Sequence, residues 1–266
     1  MPLYPRDAPL CPEVRRQLED GRTLALFLDY DGTLAPIRKS PERARLPRRT
    51  LRLLNVIAKR PDISLTIVTG RPMGEIRRFI RVKNVRFAAN HGFHVRVNGS
   101  EWIHRGAISA QNRLARIREQ LRSVADGFPG AFVEDKRFTL SLHYRNVSRG
   151  KAPALLAAAR GAIRLRNRRL RTTYGKKVLE VRPSVDWGKG RAVKKILRGI
   201  RSPSVLPVYI GDDETDEDAF RILRPGGITV RVGTGGPTAA RYCVRNTAEV
   251  VRFLREIVSG KSRAGG

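Results

Sequence analysis

The chain has 266 residues, 41% hydrophobic and 29% charged, with 54 Lys and Arg against 24 Asp and Glu and a formal net charge of +30. That balance fits a globular fold with a buried core and excludes a disordered chain; no run approaches the ~18 apolar residues of a membrane-spanning helix. Two cysteines, Cys11 and Cys243, make neither a disulfide framework nor a metal-type pair. With no signal-type apolar region near the start, the expected location is the cytoplasm.

In chain order, a Pro-rich charged segment precedes a short helix around Val14–Glu19. The apolar run Leu24–Leu28 then leads into Asp29, as a strand buried on both faces of a parallel sheet does. A helix is expected after Pro47, with Leu51, Leu54, Ile57 and Ala58 at helical spacing. Residues 63–68 (ISLTIV) form a second strand, and Pro72 opens a helix reaching about Ile80. Val85–Ala89 is a third strand, and Asn98-Gly99 joins a hairpin of Phe93–Val97 and Glu101–Ile103. The texture changes near Arg105. A helix carrying Leu114, Ile117, Leu121 and Val124 is followed by strands at 131–135 and 138–144. A second helix, Ala152–Ile163, precedes strands at 169–174 and 177–182. This order suggests a separate α+β unit. Alternation then resumes: helix 188–198, strand 205–210, helix 216–223, strand 227–232 and helix 247–258, with 259–266 as a tail. The expected fold is α/β, a core of 1–104 and 183–266 around a mainly parallel sheet, with an α+β cap of 105–182 inserted.

Chemistry concentrates where strands end. Asp29 stands at the carboxyl end of the first strand, where open α/β sheets bind ligands, and Asp31 follows beyond one residue. Two carboxylates this close repel; a bound cation resolves that, leaving one to attack and the other to move a proton. An Asx-type turn is the plain alternative. Thr69-Gly70-Arg71 ends the second strand and offers a hydroxyl and free N–H groups to a phosphate, or simply a helix cap. Lys189, between Gly188 and Gly190, can reach a phosphoryl oxygen and a carboxylate together, or lie solvated. Gly211-Asp212-Asp213-Glu214-Thr215-Asp216-Glu217 again brings an apolar strand into carboxylates, which suits a hard cation such as Mg²⁺ better than a solvated helix start. The four histidines have no metal-type spacing, and no P-loop is present.

The net charge raises nucleic-acid binding as another function. The arginines are spread through the chain, with a local cluster at 164–171, and no zinc finger, helix-turn-helix or RNP motif accompanies them. Aromatics are 6% of the chain, poor for base stacking. Only weak, nonspecific, salt-sensitive attraction is expected, and no specific nucleic-acid partner.

DYDGTLAPI, TGR, WGKG and GDDETDE, in this order, resemble the haloacid dehalogenase superfamily of phosphatases. More narrowly, GDDETDEDAF, Asn90-His91-Gly92, VEDKRFTLSLHYR (133–145) and Leu179–Pro183 resemble the trehalose-6-phosphate phosphatase family, over about residues 24–260. Thr69 stands where serine is common, and the hydroxyl is kept. The resemblance implies a Mg²⁺-dependent phosphomonoesterase with Asp29 as nucleophile and Asp31 as general acid and base. The Asp29 and Asp212 side chains and the Asp31 carbonyl would bind Mg²⁺, with Asp213 and Asp216 in support. Thr69, Gly70, Arg71 and Lys189 would hold the phosphoryl group, and Lys189 also counts among the catalytic residues. Glu134, Lys136, Glu180 and Arg182, with His91 and His143, would bind the sugar: Glu134 and Lys136, like Glu180 and Arg182, sit two apart on a strand and share a face. Another sugar phosphate, of the sucrose or mannosylglycerate type, stays open as substrate. No membrane partner is expected, and a trehalose-phosphate synthase is a candidate partner.

Overall fold

A computed structural model describes residues 10–38, 40–164 and 169–259. The expected tail beyond 259, and part of the arginine cluster at 164–171, lie outside the described residues. The chain divides into two compact units, Met1–Trp102 with Trp187–Gly266, and Ile103–Asp186.

The first unit is built on an eight-stranded sheet. Its strands are β1 (Thr23–Asp29), β2 (Ile63–Val68), β3 (Arg86–Ala89), β4 (His94–Val97), β5 (Ser100–Ile103), β10 (Val205–Gly211), β11 (Ile228–Val232) and β12 (Tyr242–Val244). The spatial order is β12-β11-β10-β1-β2-β3-β4-β5. The first six pair in parallel; β4 runs antiparallel to β3. All six residues of β2 and six of seven in β1 are buried, which is why both read as unbroken apolar runs. Asn98 and Gly99 carry the two positive φ values, 49° and 86°, of the β4–β5 turn.

One sheet face packs α1 (Leu10–Glu19), α2 (Arg48–Lys59), α3 (Met73–Phe79) and α8 (Thr247–Ser259) around Leu26, Leu28, Leu54, Ile57, Ile76 and Leu254. The other packs α6 (Lys189–Leu197) and α7 (Glu217–Leu223) around Phe27, Tyr209, Val193 and Phe220. The chain leaves β1 towards β2 on one side and returns as β10 on the other. The connections therefore diverge between these two central strands, and the carboxyl ends beside such a divergence are where open α/β sheets bind ligands. Register sets Leu28 beside Ile210, so Asp29 and the Gly211-Asp212 step emerge together.

The second unit is a four-stranded antiparallel sheet in the order β6-β7-β9-β8: β6 (Phe132–Asp135), β7 (Leu140–His143), β8 (Leu170–Gly175) and β9 (Val178–Pro183). Leu140, Leu142, Leu179 and Val181 form one face with α4 (Arg105–Asp126) and α5 (Ala152–Arg164). The alternate residues, among them Phe132, Glu134, Ser141, His143, Glu180 and Arg182, share the opposite face.

Candidate active site

Four side chains from three sequence-distant segments meet at the carboxyl ends of β1 and β10. The Lys189 ammonium reaches Asp29 Oδ1 at 2.7 Å and Asp216 Oδ1 at 2.8 Å. Asp212 completes the group: oxygens of Asp29, Asp212 and Asp216 lie within 4.8 Å of one another, and all three residues are buried. Three carboxylates thus gather around one ammonium away from bulk water. Burial, opposed by Lys189 and reinforced by Asp216 and Asp212, pushes the Asp29 carboxyl well above its ordinary range. Burial works to lower the Lys189 ammonium, and the two carboxylates outweigh it and hold it well above its usual value. Hard oxygens that outnumber the ammonium fit a small divalent cation, which would also favour the ionised form of Asp29.

The acids differ in how they are engaged. Asp216 accepts four hydrogen bonds, from Lys189 and the Tyr209 hydroxyl on Oδ1 and from the Asp212 and Asp213 N–H groups on Oδ2. Those four bonds use its lone pairs and make it the anchor of the group; Asp29 and Asp212 are the carboxylates less engaged by hydrogen bonds that could hold a metal. Asp213 lies outside the cluster: it caps the turn at Glu214–Asp216, accepting the Glu214 N–H at 2.6 Å. Gly32, with φ of 86°, faces the Asp212 carboxylate so closely that any Cβ would overlap it.

Asp31 turns to Arg71, which grips it bidentately, Nε to Oδ2 at 2.7 Å and Nη2 to Oδ1 at 2.6 Å. Arg71 also pairs with Glu75 and stacks over Tyr30 and Phe79, 5.3 and 4.9 Å from the ring centroids. A guanidinium so engaged orients a carboxylate. Thr69 is buried and its Oγ1 accepts the Arg71 N–H at 3.1 Å, so its own proton stays available to donate. Beside it, Asn90, His91 and Gly92 all have positive φ, 50°, 55° and 90°. The turn is held by the Asn90 N–H on the Arg71 carbonyl and the His91 N–H on the Thr69 carbonyl, both at 2.9 Å. His91 packs on Gly70, where an added Cβ would come within 2.6 Å of the ring.

The second unit carries its own polar cluster. Lys136 bonds Glu180 at 2.9 Å and approaches Glu134 at 3.8 Å; Ser141 donates to Glu180 at 2.6 Å; His143 pairs with Glu134 at 2.7 Å. Burial alone would raise Glu134, but Lys136 and His143 outweigh it and hold the carboxyl below its ordinary value. Arg182 lies on the same face and is buried. Sequence reasoning missed Phe132, two residues before Glu134, which is 42% exposed and stacks on His143 with centroids 4.5 Å apart. The period of two that paired Glu134 with Lys136 pointed to it as well.

The trehalose-phosphatase family model matches residues 27–247. Trehalose-phosphate phosphatase B of Arabidopsis thaliana is 32% identical over 261 residues, covering 92% of this chain and 69% of its own. The trehalose-phosphate phosphatase of Mycolicibacterium paratuberculosis is 34% identical over 257 residues, covering 92% and 65%. A solved trehalose-6-phosphate phosphatase related protein superposes with a TM-score of 0.77 at 31% identity, covering 88% of this chain and 97% of its own. With a matched region that runs from within β1 to the start of α8, and so takes in both units, this chain belongs to the trehalose-phosphatase family.

Proposed function

We propose that this chain is a Mg²⁺-dependent phosphomonoesterase that hydrolyses trehalose 6-phosphate to trehalose and phosphate. The observation that carries the reading is the buried Asp29–Lys189–Asp216 bridge with Asp212 beside it, in a chain of this family. Lys189 occupies Asp29 Oδ1, so Oδ2 is the attacking oxygen. It forms a bond to phosphorus as the bond to the sugar oxygen breaks, giving an aspartyl-phosphate. Asp31 gives its proton to the departing sugar oxygen, then takes one from the water that attacks the phosphoryl group and releases Asp29. Each Asp31 oxygen has a second lone pair beyond its Arg71 bond, so Arg71 can fix the carboxylate without preventing proton transfer. Lys189 and the Thr69 hydroxyl offset charge on the phosphoryl oxygens in the transition state. Asp29 and Asp212 would hold Mg²⁺, which supplies further neutralisation of the phosphoryl charge.

Sugar selection belongs to the inserted unit. A disaccharide presents a ring of hydroxyls that both donate and accept, and Glu134 and Glu180 accept while Lys136 and Arg182 donate. His143 orients Glu134, and Phe132 offers an aromatic face to a sugar ring. His91 lies in the first unit beside the phosphate-holding Gly70 and serves the near end of the substrate.

The test is a phosphate-release screen over disaccharide and monosaccharide phosphates with Mg²⁺. Trehalose 6-phosphate should be the preferred substrate, and Asp29→Asn should remove turnover. Preference for sucrose phosphate or another sugar phosphate would overturn the substrate, and release unaffected by Asp29→Asn would overturn the chemistry.

A further inference from the structure

Lys189 is the first residue of α6, and its ammonium must meet two carboxylates that project from β1 and from the turn after β10. A lysine side chain is long and rich in rotamers, so its placement depends on how firmly the backbone beneath it is held. The residue before it, Gly188, has no side chain to cap the helix, and the first turn of α6 contains no acid. The cap comes from α7 instead. Asp218 Oδ2 accepts the Gly190 N–H at 3.1 Å.

The two glycines of Gly188-Lys189-Gly190 have a steric reason. A Cβ on Gly188 would stand 2.5 Å from Asp218 Oδ2, and one on Gly190 would stand 2.7 Å from the Asp218 carbonyl oxygen. Both are absent because α7 lies directly against this turn. On the other side, Trp187 Nε1 donates to the Gly92 carbonyl at 2.8 Å and its ring packs on Trp102 with centroids 5.0 Å apart. Gly92 itself closes on the same turn, since its Cβ would meet the Gly188 carbonyl at 2.9 Å and Ala192 Cβ at 2.6 Å. The backbone that carries Lys189 is therefore held by an indole and by a carboxylate, through the Gly92 carbonyl and the Gly190 N–H.

We propose that Trp187 and Asp218 are positioning residues that brace the Trp187–Gly190 turn and so set the Lys189 ammonium between Asp29 and Asp216. The proposal rests on the reading of Lys189 given above. Without the brace the ammonium withdraws, and the buried carboxylates lose the charge that compensates them. An ångström of misplacement costs up to about a hundredfold in rate.

Phosphate release from trehalose 6-phosphate with Mg²⁺ tests this when Asp218→Ala, Asp218→Asn and Trp187→Phe are made in the wild type and in Lys189→Ala. Asp218→Ala should lower kcat at least about tenfold with KM little changed, by the same reasoning about misplacement. Asp218→Asn should recover most of the loss, because an amide oxygen still accepts the Gly190 N–H, and it covers the case in which the alanine variant fails to fold. Trp187→Phe keeps the ring and loses the N–H, and should fall between them. In the Lys189→Ala background none of the three should lower kcat further. Unchanged kcat in Asp218→Ala, or an equal loss with and without Lys189, would overturn the brace. Wild-type turnover in Lys189→Ala alone would instead sink the reading of Lys189 on which it rests.

Discussion

At the residue scale the site is a problem of charge. Asp29, Asp212 and Asp216 are buried together with one ammonium among them. A chelator should therefore abolish phosphate release and added Mg²⁺ restore it; full activity in metal-free buffer would contradict the account. Asp212→Ala should raise the Mg²⁺ concentration needed for half-maximal rate far more than it lowers the unfolding temperature. The sugar-binding assignments have a separate test. Glu134→Ala or Glu180→Ala should sharply lower kcat/KM for trehalose 6-phosphate and leave a small aryl phosphate nearly unaffected. Phe132→Ala should act in the same direction through KM. Equal losses on both substrates would mean that these residues support the fold of the inserted unit and not sugar recognition. The residues in these tests were unequally legible in the sequence. Asp29 and Asp212 follow apolar strands, and a carboxylate there has little reason but chemistry. The acidic run of 212–217 also contains a cap, Asp213, and an anchor, Asp216, and spacing alone cannot say which acid faces inward. Arg71 is a cation in a phosphate-like setting whose partner, Asp31, comes from another strand end, so only the fold reveals the pair.

At the element scale, buried strands were the clearest signal. β2 coincides with the run ISLTIV because both its faces are covered. β12 escaped notice: it has three half-buried residues at a sheet edge, too short for any period to emerge. Helix α2 was visible from spacing because Leu54 and Ile57 are fully buried on one face. Leu54→Ala should cost about 2–5 kcal/mol of stability, read by denaturant unfolding; a loss within measurement error would contradict its place in the core. On β6, Glu134 is held below its ordinary value of 4.5 by Lys136 and His143 despite burial. A carboxyl whose folded value is depressed stabilises the fold above its unfolded value and loses that contribution as pH falls through the folded one. The difference in stability between wild type and Glu134→Gln should be greatest near neutral pH and close as the solution is taken below 4.5. A gap that widened on acidification would contradict the assignment.

At the scale of the whole molecule, the net charge of +30 is the feature that the proposed chemistry does not use. Some cations are paired, as Arg118 with Glu119 and Asp135 on α4 and β6, or Arg245, just before α8, with Glu249 in its first turn. On α2, Arg48, Arg49 and Arg52 are exposed with no acid in the first turn. Such a surface attracts phosphate backbones in general, so duplex DNA of arbitrary sequence should bind at low salt and be released by about 0.2 M salt. Sequence-selective binding that survives physiological salt would revive nucleic-acid recognition as a function. The chain divides into two units, and in the proposed division of labour the first would hold the groups for phosphate and metal and the inserted one the groups for sugar. The central claim is covalent, and one measurement reaches it most directly. Enzyme turning over trehalose 6-phosphate with Mg²⁺ is quenched in acid, digested and analysed by mass. The account predicts one phosphoryl group on the peptide that contains Asp29, absent from Asp29→Asn. Steady turnover with no phosphorylated peptide, or with the phosphoryl group on another residue, would contradict it.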